Sequence, residues 1–224
     1  MRILVSATFI ALPLMALGGC AGGLSKDECL YADWQAIGYE DGARGAPASA
    51  VSSHRQACAK KAGVTPNMSA YLMGRDEGLI EYCQASNAFT IGARGGRYYG
   101  VCTGPEEGSF VTAFQQGNQL FALRNDVARA ENALANAEKR LQEINHQIDH
   151  AEAALISPAT PHLERVDILA DLKNLNEEKQ RVKRSFGPLR RDYELAQDEL
   201  ADYRAFLAAN GPYPGALGVT SAGY

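Results

Sequence analysis

The chain has 224 residues, and its 22 lysines and arginines against 26 aspartates and glutamates give a formal net charge of −4. This slightly acidic balance, with basic residues dispersed along the sequence, argues against a nucleic-acid-binding protein. The sequence contains no phosphate-binding loop, nucleophile elbow or metalloprotease motif. We therefore predict a non-enzymatic protein with no catalytic residues, no cofactor and no metal site.

The first predicted element is a leader. A largely apolar run from Ile3 to Leu17 ends in Leu17-Gly18-Gly19-Cys20, and at about 15 residues it is shorter than the roughly 20 that span a bilayer. The cysteine context resembles a bacterial lipobox, in which the cysteine becomes the lipid-modified first residue of the mature protein. We interpret residues 1–19 as a lipoprotein signal peptide and Cys20 as the lipid-attachment residue. Ordinary signal-peptide cleavage and a retained anchor remain as alternatives.

The residue after Cys20 bears on localisation. Ala21 is not the aspartate that resembles an inner-membrane retention signal, so in a Gram-negative host we expect an outer-membrane lipid anchor and a protein that faces the periplasm. The membrane, reached through several acyl chains, is then the first expected partner. Residues 20–28 would comprise the lipidated cysteine and a short tether.

The cysteine count agrees with this interpretation. The chain has five cysteines, and assigning Cys20 to lipid leaves an even set for two disulfides in an oxidising compartment. These four disulfide candidates are Cys29, Cys58, Cys83 and Cys102.

Composition divides the rest of the chain into three parts. Residues 29–108 are rich in Gly, Cys and Tyr, and we predict a small helical module there. Residues 109–210 are rich in Ala, Leu, Glu and Arg and contain no cysteine. Residues 211–224 contain prolines and glycines that cannot hold a helix, so we predict a flexible tail.

A small pattern recurs in the module: an apolar residue, Gly, three residues, Gly. It begins at Ile37, Met73 and Ile91. On a helix, glycines four apart share one face and leave a groove that another backbone can approach closely. Because an interior glycine costs a helix about 1 kcal/mol, repeated pairs need such a reason. Turn glycines at positive φ are the alternative.

The long second part predicts two helices. Apolar residues alternate in steps of three and four along two seams, which indicates heptad packing. The first seam is Leu120, Leu123, Val127, Ala130, Leu134, Ala137, Leu141, Ile144, Ile148, Ala151 and Leu155. The second is Ile168, Leu172, Leu175, Lys179, Val182, Phe186, Leu189, Tyr193, Ala196, Leu200, Tyr203 and Leu207. Two such helices joined by a short turn predict a long antiparallel coiled-coil hairpin over residues 109–210.

Three positions in the hairpin lead to specific predictions. Thr160 is expected to cap the second helix and Pro161 to occupy its first turn. Gly187-Pro188 predicts a kink rather than a helix end, because the heptad register continues across it. Lys179 is the one polar seam residue, and it either specifies register or extends to solvent along its alkyl stem.

The module resembles a known family. The motifs Asp33-Trp34, Gly38, Asp41-Gly42, His54, Cys58, Tyr71, Gly74-Arg75, Tyr82-Cys83, Gly92 and Tyr99-Gly100-Val101-Cys102 look like the signature of domain of unknown function 2799, a family of small proteobacterial envelope lipoproteins. The resemblance covers about residues 29–120. It implies an envelope location and paired cysteines, but no activity.

Three disulfide connectivities are possible for the four cysteines. We predict the sequential pairing, Cys29 with Cys58 and Cys83 with Cys102, in a module too small and glycine-rich to rely on a large core. The predicted fold is therefore all-α: a disulfide-stapled helical module followed by the hairpin.

Other candidate sites are weaker. His54 and Cys58 are four residues apart, as are His146 and His150, but zinc usually needs four ligands and a free thiolate. Glu40, Asp41, Asp76 and Glu77 are acidic residues beside glycines, and we interpret them as salt-bridge or helix-end charges.

The leading functional hypothesis is a membrane-anchored structural or adaptor protein whose hairpin meets an envelope protein partner or a second copy. The alternative is a cell-wall hydrolase, or a regulator of one, that uses acidic residues of the module. It would require two carboxylates to meet across a cleft.

Overall fold

The computed structural model describes residues 24–210, which form seven α-helices and no strand. The all-α fold class is confirmed. Cys20, with the rest of the leader, and the tail at 211–224 lie outside the described residues. The helices are α1 (Lys26–Leu30), α2 (Trp34–Ala43), α3 (Ala50–Ala62), α4 (Met68–Tyr82), α5 (Ala85–Ala93), α6 (Glu107–Ile156) and α7 (His162–Asn210).

The short helices begin at polar capping residues. Ser25 and Glu28 form a reciprocal capping box on α1. Asp33 accepts hydrogen bonds from the Gln35 and Ala36 amides at the start of α2, and the Asn67 side chain accepts from the Ala70 amide at the start of α4. These bonds satisfy amides that have no partner within their own helix.

Helices α2 and α4 cross through two pairs of glycines. A methyl group at Gly38 would lie 2.0 Å from the Tyr71 carbonyl oxygen, and one at Gly78 would lie 2.2 Å from the Tyr39 oxygen. Gly42 and Gly74 are equally close to the facing backbone. Because residue numbers rise together along the contact, the two helices run parallel, and α3 forms the connection between them.

A second crossing of the same kind joins α5 to α6. Gly92 faces the Phe114 carbonyl oxygen and Gly117 faces that of Phe89, each at a separation that a Cβ atom would not permit. The helix-packing interpretation of the glycine pattern therefore holds for Gly38, Gly42, Gly74, Gly78 and Gly92. Turn glycines also occur, at Gly45 with φ 68° and Gly95 with φ 71°.

Helices α6 and α7 pack against each other as the predicted antiparallel hairpin. Every residue of both seams is buried or half-buried. At about 1.5 Å per residue, α6 with its 50 residues is roughly 75 Å long. Helix α7 continues through Pro188, so Gly187-Pro188 does not end the helix. Lys179 is half-buried in its seam.

The turn between α6 and α7 differs from the prediction at two residues. Helix α7 begins at His162, so Pro161 directly precedes the helix instead of lying in its first turn. The Thr160 hydroxyl donates to the Ala154 carbonyl oxygen at 2.6 Å, so it satisfies the end of α6 instead of capping α7. The Arg165 side chain donates to the carbonyl oxygens of Thr160 and Ser157. A threonine hydroxyl can bond the preceding helix or the following one, and the residues around the turn decide between them.

The main core lies where the module meets the base of the hairpin. Tyr82, Phe89 and Cys102 from the module are buried together with residues of both long helices, namely Phe110, Ala113, Leu120, Leu200 and Leu207. The first turns of α6 therefore serve both parts: one face packs on α5 and another on the end of α7.

Candidate functional site

The most developed polar site is a buried network around Asp41, a residue that is 2% exposed. Its Oδ2 accepts a hydrogen bond from the Tyr71 hydroxyl at 2.8 Å and lies 2.9 Å from Nε2 of His54. Its Oδ1 accepts from the Arg44 guanidinium at 2.5 Å. The network joins α2, α3 and α4 at one point, directly beside the glycine crossing.

The surroundings of Asp41 favour its charged form. Burial by itself would raise the pKa of Asp41, but the hydrogen bonds from Tyr71, His54 and Arg44 outweigh burial and lower that pKa below its ordinary value. Burial and the bond to the Asp41 carboxylate raise the pKa of Tyr71, so this phenol stays protonated and donates.

Arg75 extends the network towards the following turn. It is 8% exposed and donates to the Ala46 carbonyl oxygen at 3.0 Å, which ties α4 to the turn after α2. Its Nε is buried with no partner among the described residues. A carboxylate, an imidazole and a phenol could in principle transfer protons, but none of these three side chains lines the groove that contains Asp76. The arrangement cross-links three helices.

The predicted disulfide residues lie at the two ends of the module. Cys29 of α1 is bonded to Cys58 of α3, and Cys83 at the end of α4 is bonded to Cys102 in the segment before α6. This is the sequential pairing that the sequence predicts. Because Cys58 is bonded to Cys29, its sulfur is not a free thiolate that could bind a metal with His54. Residues 24–210 contain no group of three or more His, Cys, Asp or Glu placed to hold a metal ion.

The other candidate residues have separate surroundings. His146 and His150 are exposed on the outer side of α6. Glu77 accepts a hydrogen bond from the Gln35 side chain. Asp76 faces a half-open groove of about 410 Å³, which Glu106 also lines, together with Leu79, Ile80, Cys83, Gln84, Val101 and Thr103. Asp41, Asp76 and Glu77 therefore do not meet in one cleft.

A third feature is the apolar tip of the hairpin, defined by Ile156, Leu163, Val166 and Leu169. The exposed fractions are 80% for Ile156 and 81% for Leu163, with 56% for Val166 and 55% for Leu169. All four lie outside the two seams. The sequence analysis missed them. Apolar residues that lie outside a clear heptad seam indicate a second apolar surface, so the pattern could have been recognised.

The Asp41 network was also missed as a unit. Asp41, His54 and Tyr71 appeared together only in a family signature, while Asp41 and His54 were otherwise weighed as separate candidates. Their spacings of 13 and 30 residues give no local pattern. The signature does contain a carboxylate, an imidazole and a phenol, which can hydrogen-bond to one another. Their presence in one signature is the signal from which the network could have been predicted.

Fold and site together define an all-α protein with a disulfide-linked module and a long helical hairpin. Residues 33–119 match the family model described as "Protein of unknown function (DUF2799)", so the predicted resemblance is confirmed over this part of the chain. No curated protein and no solved structure matches the chain. No helix among residues 24–210 is long and apolar enough to cross a membrane.

Proposed function

We propose that the chain is a non-enzymatic lipoprotein of the cell envelope, attached to the membrane through Cys20, whose hairpin acts as an adaptor for an envelope protein. The Leu17-Gly18-Gly19-Cys20 sequence supports the anchor. The two disulfides suit the oxidising side of a membrane. In a Gram-negative host the proposed location is the periplasmic side of the outer membrane.

The apolar tip is the observation that supports the adaptor role most strongly. Monomeric soluble proteins seldom expose several large apolar side chains together, and such patches commonly mark interaction sites. Charged residues near the tip are mainly acidic: Glu152, Glu164, Asp167 and Asp171 are all exposed, while Arg165 is used inside the turn. The tip therefore fits a protein partner with an apolar pocket and a basic rim.

The length of the hairpin supplies the mechanism. The coiled coil holds the tip tens of ångströms from the module, because each of its long helices is roughly 75 Å in length. Anchoring the module at a membrane raises the effective concentration of the tip for partners within its reach. The disulfides and the Asp41 network keep the base rigid, so the tip has a defined position.

Site-specific photocrosslinking in intact cells tests this proposal. A photoreactive amino acid at Val166 should crosslink one dominant envelope protein, and Leu163→Glu or Cys20→Ser should reduce that product. The same amino acid at Glu138, which is exposed on α6 about five turns from the tip residue Ile156, is the matched control. Absence of a product at Val166, or the same products from both positions, contradicts the adaptor role.

The groove with Asp76 and Glu106 favours a second candidate, the cell-wall hydrolase or its regulator. Its volume of about 410 Å³ is within the range of small-ligand sites, and two carboxylates are the usual catalytic pair of glycoside hydrolysis. Asp76→Asn and Glu106→Gln variants, assayed for release of peptidoglycan fragments, distinguish this candidate. An unchanged release rate in both variants eliminates it.

A further inference from the structure

Charge is strongly segregated along the outer side of α7. The stretch 183–191 carries Lys183, Arg184, Arg190 and Arg191 and no acidic residue. The stretch 192–202 carries Asp192, Glu194, Asp198, Glu199 and Asp202 and no basic residue. All nine side chains are exposed. The basic residues that the sequence analysis treated as dispersed thus include one compact block beside an acidic one.

These charges lack partners within the described chain. Among residues 24–210, none of the nine takes part in an ion pair, whereas Arg140 reaches both Glu143 and Glu178. Like charges on successive turns of a helix repel each other. Each block would therefore gain from an opposite charge supplied from outside the molecule.

One stripe of this surface has the geometry of a helix contact. Residues 184, 188, 191, 195, 198 and 202 follow one another in steps of four and three, so they share one face of α7. That face is turned away from the seam residues Phe186, Leu189 and Tyr193. Near its middle Leu195 is 61% exposed, and Gly187 at its edge has no side chain to hinder a neighbouring helix.

The order of this stripe fits a second copy of the same chain. The steps of four, three, four, three and four read identically in both directions, so two copies can align antiparallel about an axis at residue 193. Arg184 then faces Asp202 of the second copy, and Pro188 faces Asp198. Arg191 faces Leu195, one turn from Asp198. A parallel alignment would instead place like charges opposite each other.

We propose that this outer face of α7, residues 184–202, binds a second copy of the chain, with the two hairpins antiparallel about a two-fold axis. Such an axis makes every contact occur twice. The contact is about 27 Å long, at 1.5 Å per residue. Because exposed ion pairs are screened by salt, the dimer weakens as ionic strength rises. The pairing does not depend on the adaptor role, and it leaves an apolar tip free at each end.

Charge exchange tests the pairing with the full-length protein purified in detergent. Sedimentation should show a dimer for the wild type. Arg184→Glu/Arg191→Glu and Asp198→Arg/Asp202→Arg should each weaken it at least tenfold. A variant with all four substitutions has the charge order reversed, so it should dimerise with itself and fail to pair with the wild type. Lys139→Glu/Lys173→Glu, which makes the same net charge change at exposed positions outside the stripe, should have little effect.

Three outcomes overturn the proposal. The first is a wild type that is monomeric at every concentration. The second is a dimer that Arg184→Glu/Arg191→Glu leaves intact, or that the four-substitution variant does not restore while circular dichroism shows it folded. The third is a monomer that binds anionic phospholipid vesicles and loses this binding in Arg184→Glu/Arg191→Glu, since the basic block then serves a phosphate-bearing surface instead.

Discussion

At the scale of single residues, Asp41 illustrates how a buried charge can be kept in a small module. Taking a carboxylate out of water is costly unless hydrogen bonds replace its hydration. Tyr71 of α4, His54 of α3 and Arg44, which directly follows α2, supply those bonds. The three helices are thereby held at one carboxylate group. Apolar contacts alone would fix their relative positions less precisely.

Replacement of Asp41 by asparagine is expected to lower the free energy of unfolding by about 2–4 kcal/mol, because the bonds from His54 and Arg44 lose their charge assistance. The pKa of Asp41 is lowered in the folded state, so its contribution is complete above about pH 4, where an unfolded aspartate is ionised. The contribution is lost as the pH falls through the lower, folded pKa. Denaturant titrations at pH 6 and at pH 3 measure both effects.

Asp76→Asn is the matched control, because Asp76 is exposed on α4. It should change the free energy of unfolding by less than about 0.5 kcal/mol. If the wild type and Asp41→Asn lose the same stability between the two pH values, Asp41 is not the charged centre of the network.

The glycine crossings lead to a second prediction at this scale. Gly78→Ala would place a methyl group 2.2 Å from the Tyr39 oxygen and 2.6 Å from the Ala43 nitrogen. Because both are backbone atoms, α2 and α4 must separate, and we expect a loss of at least 3 kcal/mol in the free energy of unfolding. Gly108→Ala, where the new methyl group meets nothing within 4 Å, should stabilise the protein by about 0.5 kcal/mol. Equal effects of the two substitutions in thermal unfolding would refute close backbone contact.

At the scale of elements, the hairpin was predictable because its signal is local. A heptad seam places one apolar residue on each turn, so the buried face of α6 and α7 follows from sequence spacing alone. The glycine pattern likewise located both sides of the α2–α4 crossing and one side of the α5–α6 crossing. Gly117, the partner of Gly92, was not recognised, since a single glycine inside a helical heptad region has no repeat to identify it. Its partner became evident only when α5 and α6 were placed together.

Pro188 gives a prediction for a whole helix. A proline inside a helix removes one backbone hydrogen bond and costs about 3 kcal/mol relative to alanine, yet α7 continues through it. We expect Pro188→Ala to stabilise α7 by about 1–3 kcal/mol and to slow amide hydrogen exchange at residues 184–192. Pro158→Ala, in the turn before α7, should leave exchange there unchanged. Faster exchange in Pro188→Ala would mean that the native hairpin requires the proline.

At the scale of the whole molecule, the sequence showed a module and a hairpin but not how they are joined. Composition changes near residue 109, whereas α6 begins at Glu107 and its first turns are buried against α5. Phe110 and Ala113 lie before the predicted seam, so their burial depends on module residues such as Tyr82 and Phe89. Leu200 and Leu207 of α7 close the same core from the other end of the chain.

This shared core makes the two disulfides unequal, which is the last prediction. Cys102 is part of the core together with Phe110, Leu200 and Leu207, while Cys29–Cys58 joins only α1 to α3. Replacing both cysteines of either disulfide by serine should lower the free energy of unfolding by about 3 kcal/mol, because the unfolded chain gains conformational freedom. Removing Cys83–Cys102 should in addition speed hydrogen exchange in α5 and in the adjoining ends of α6 and α7. Removing Cys29–Cys58 should speed exchange in α1 and α3 alone. If both double variants loosen the same helices, the module and hairpin do not share a core, and the base of the hairpin is held by its seam.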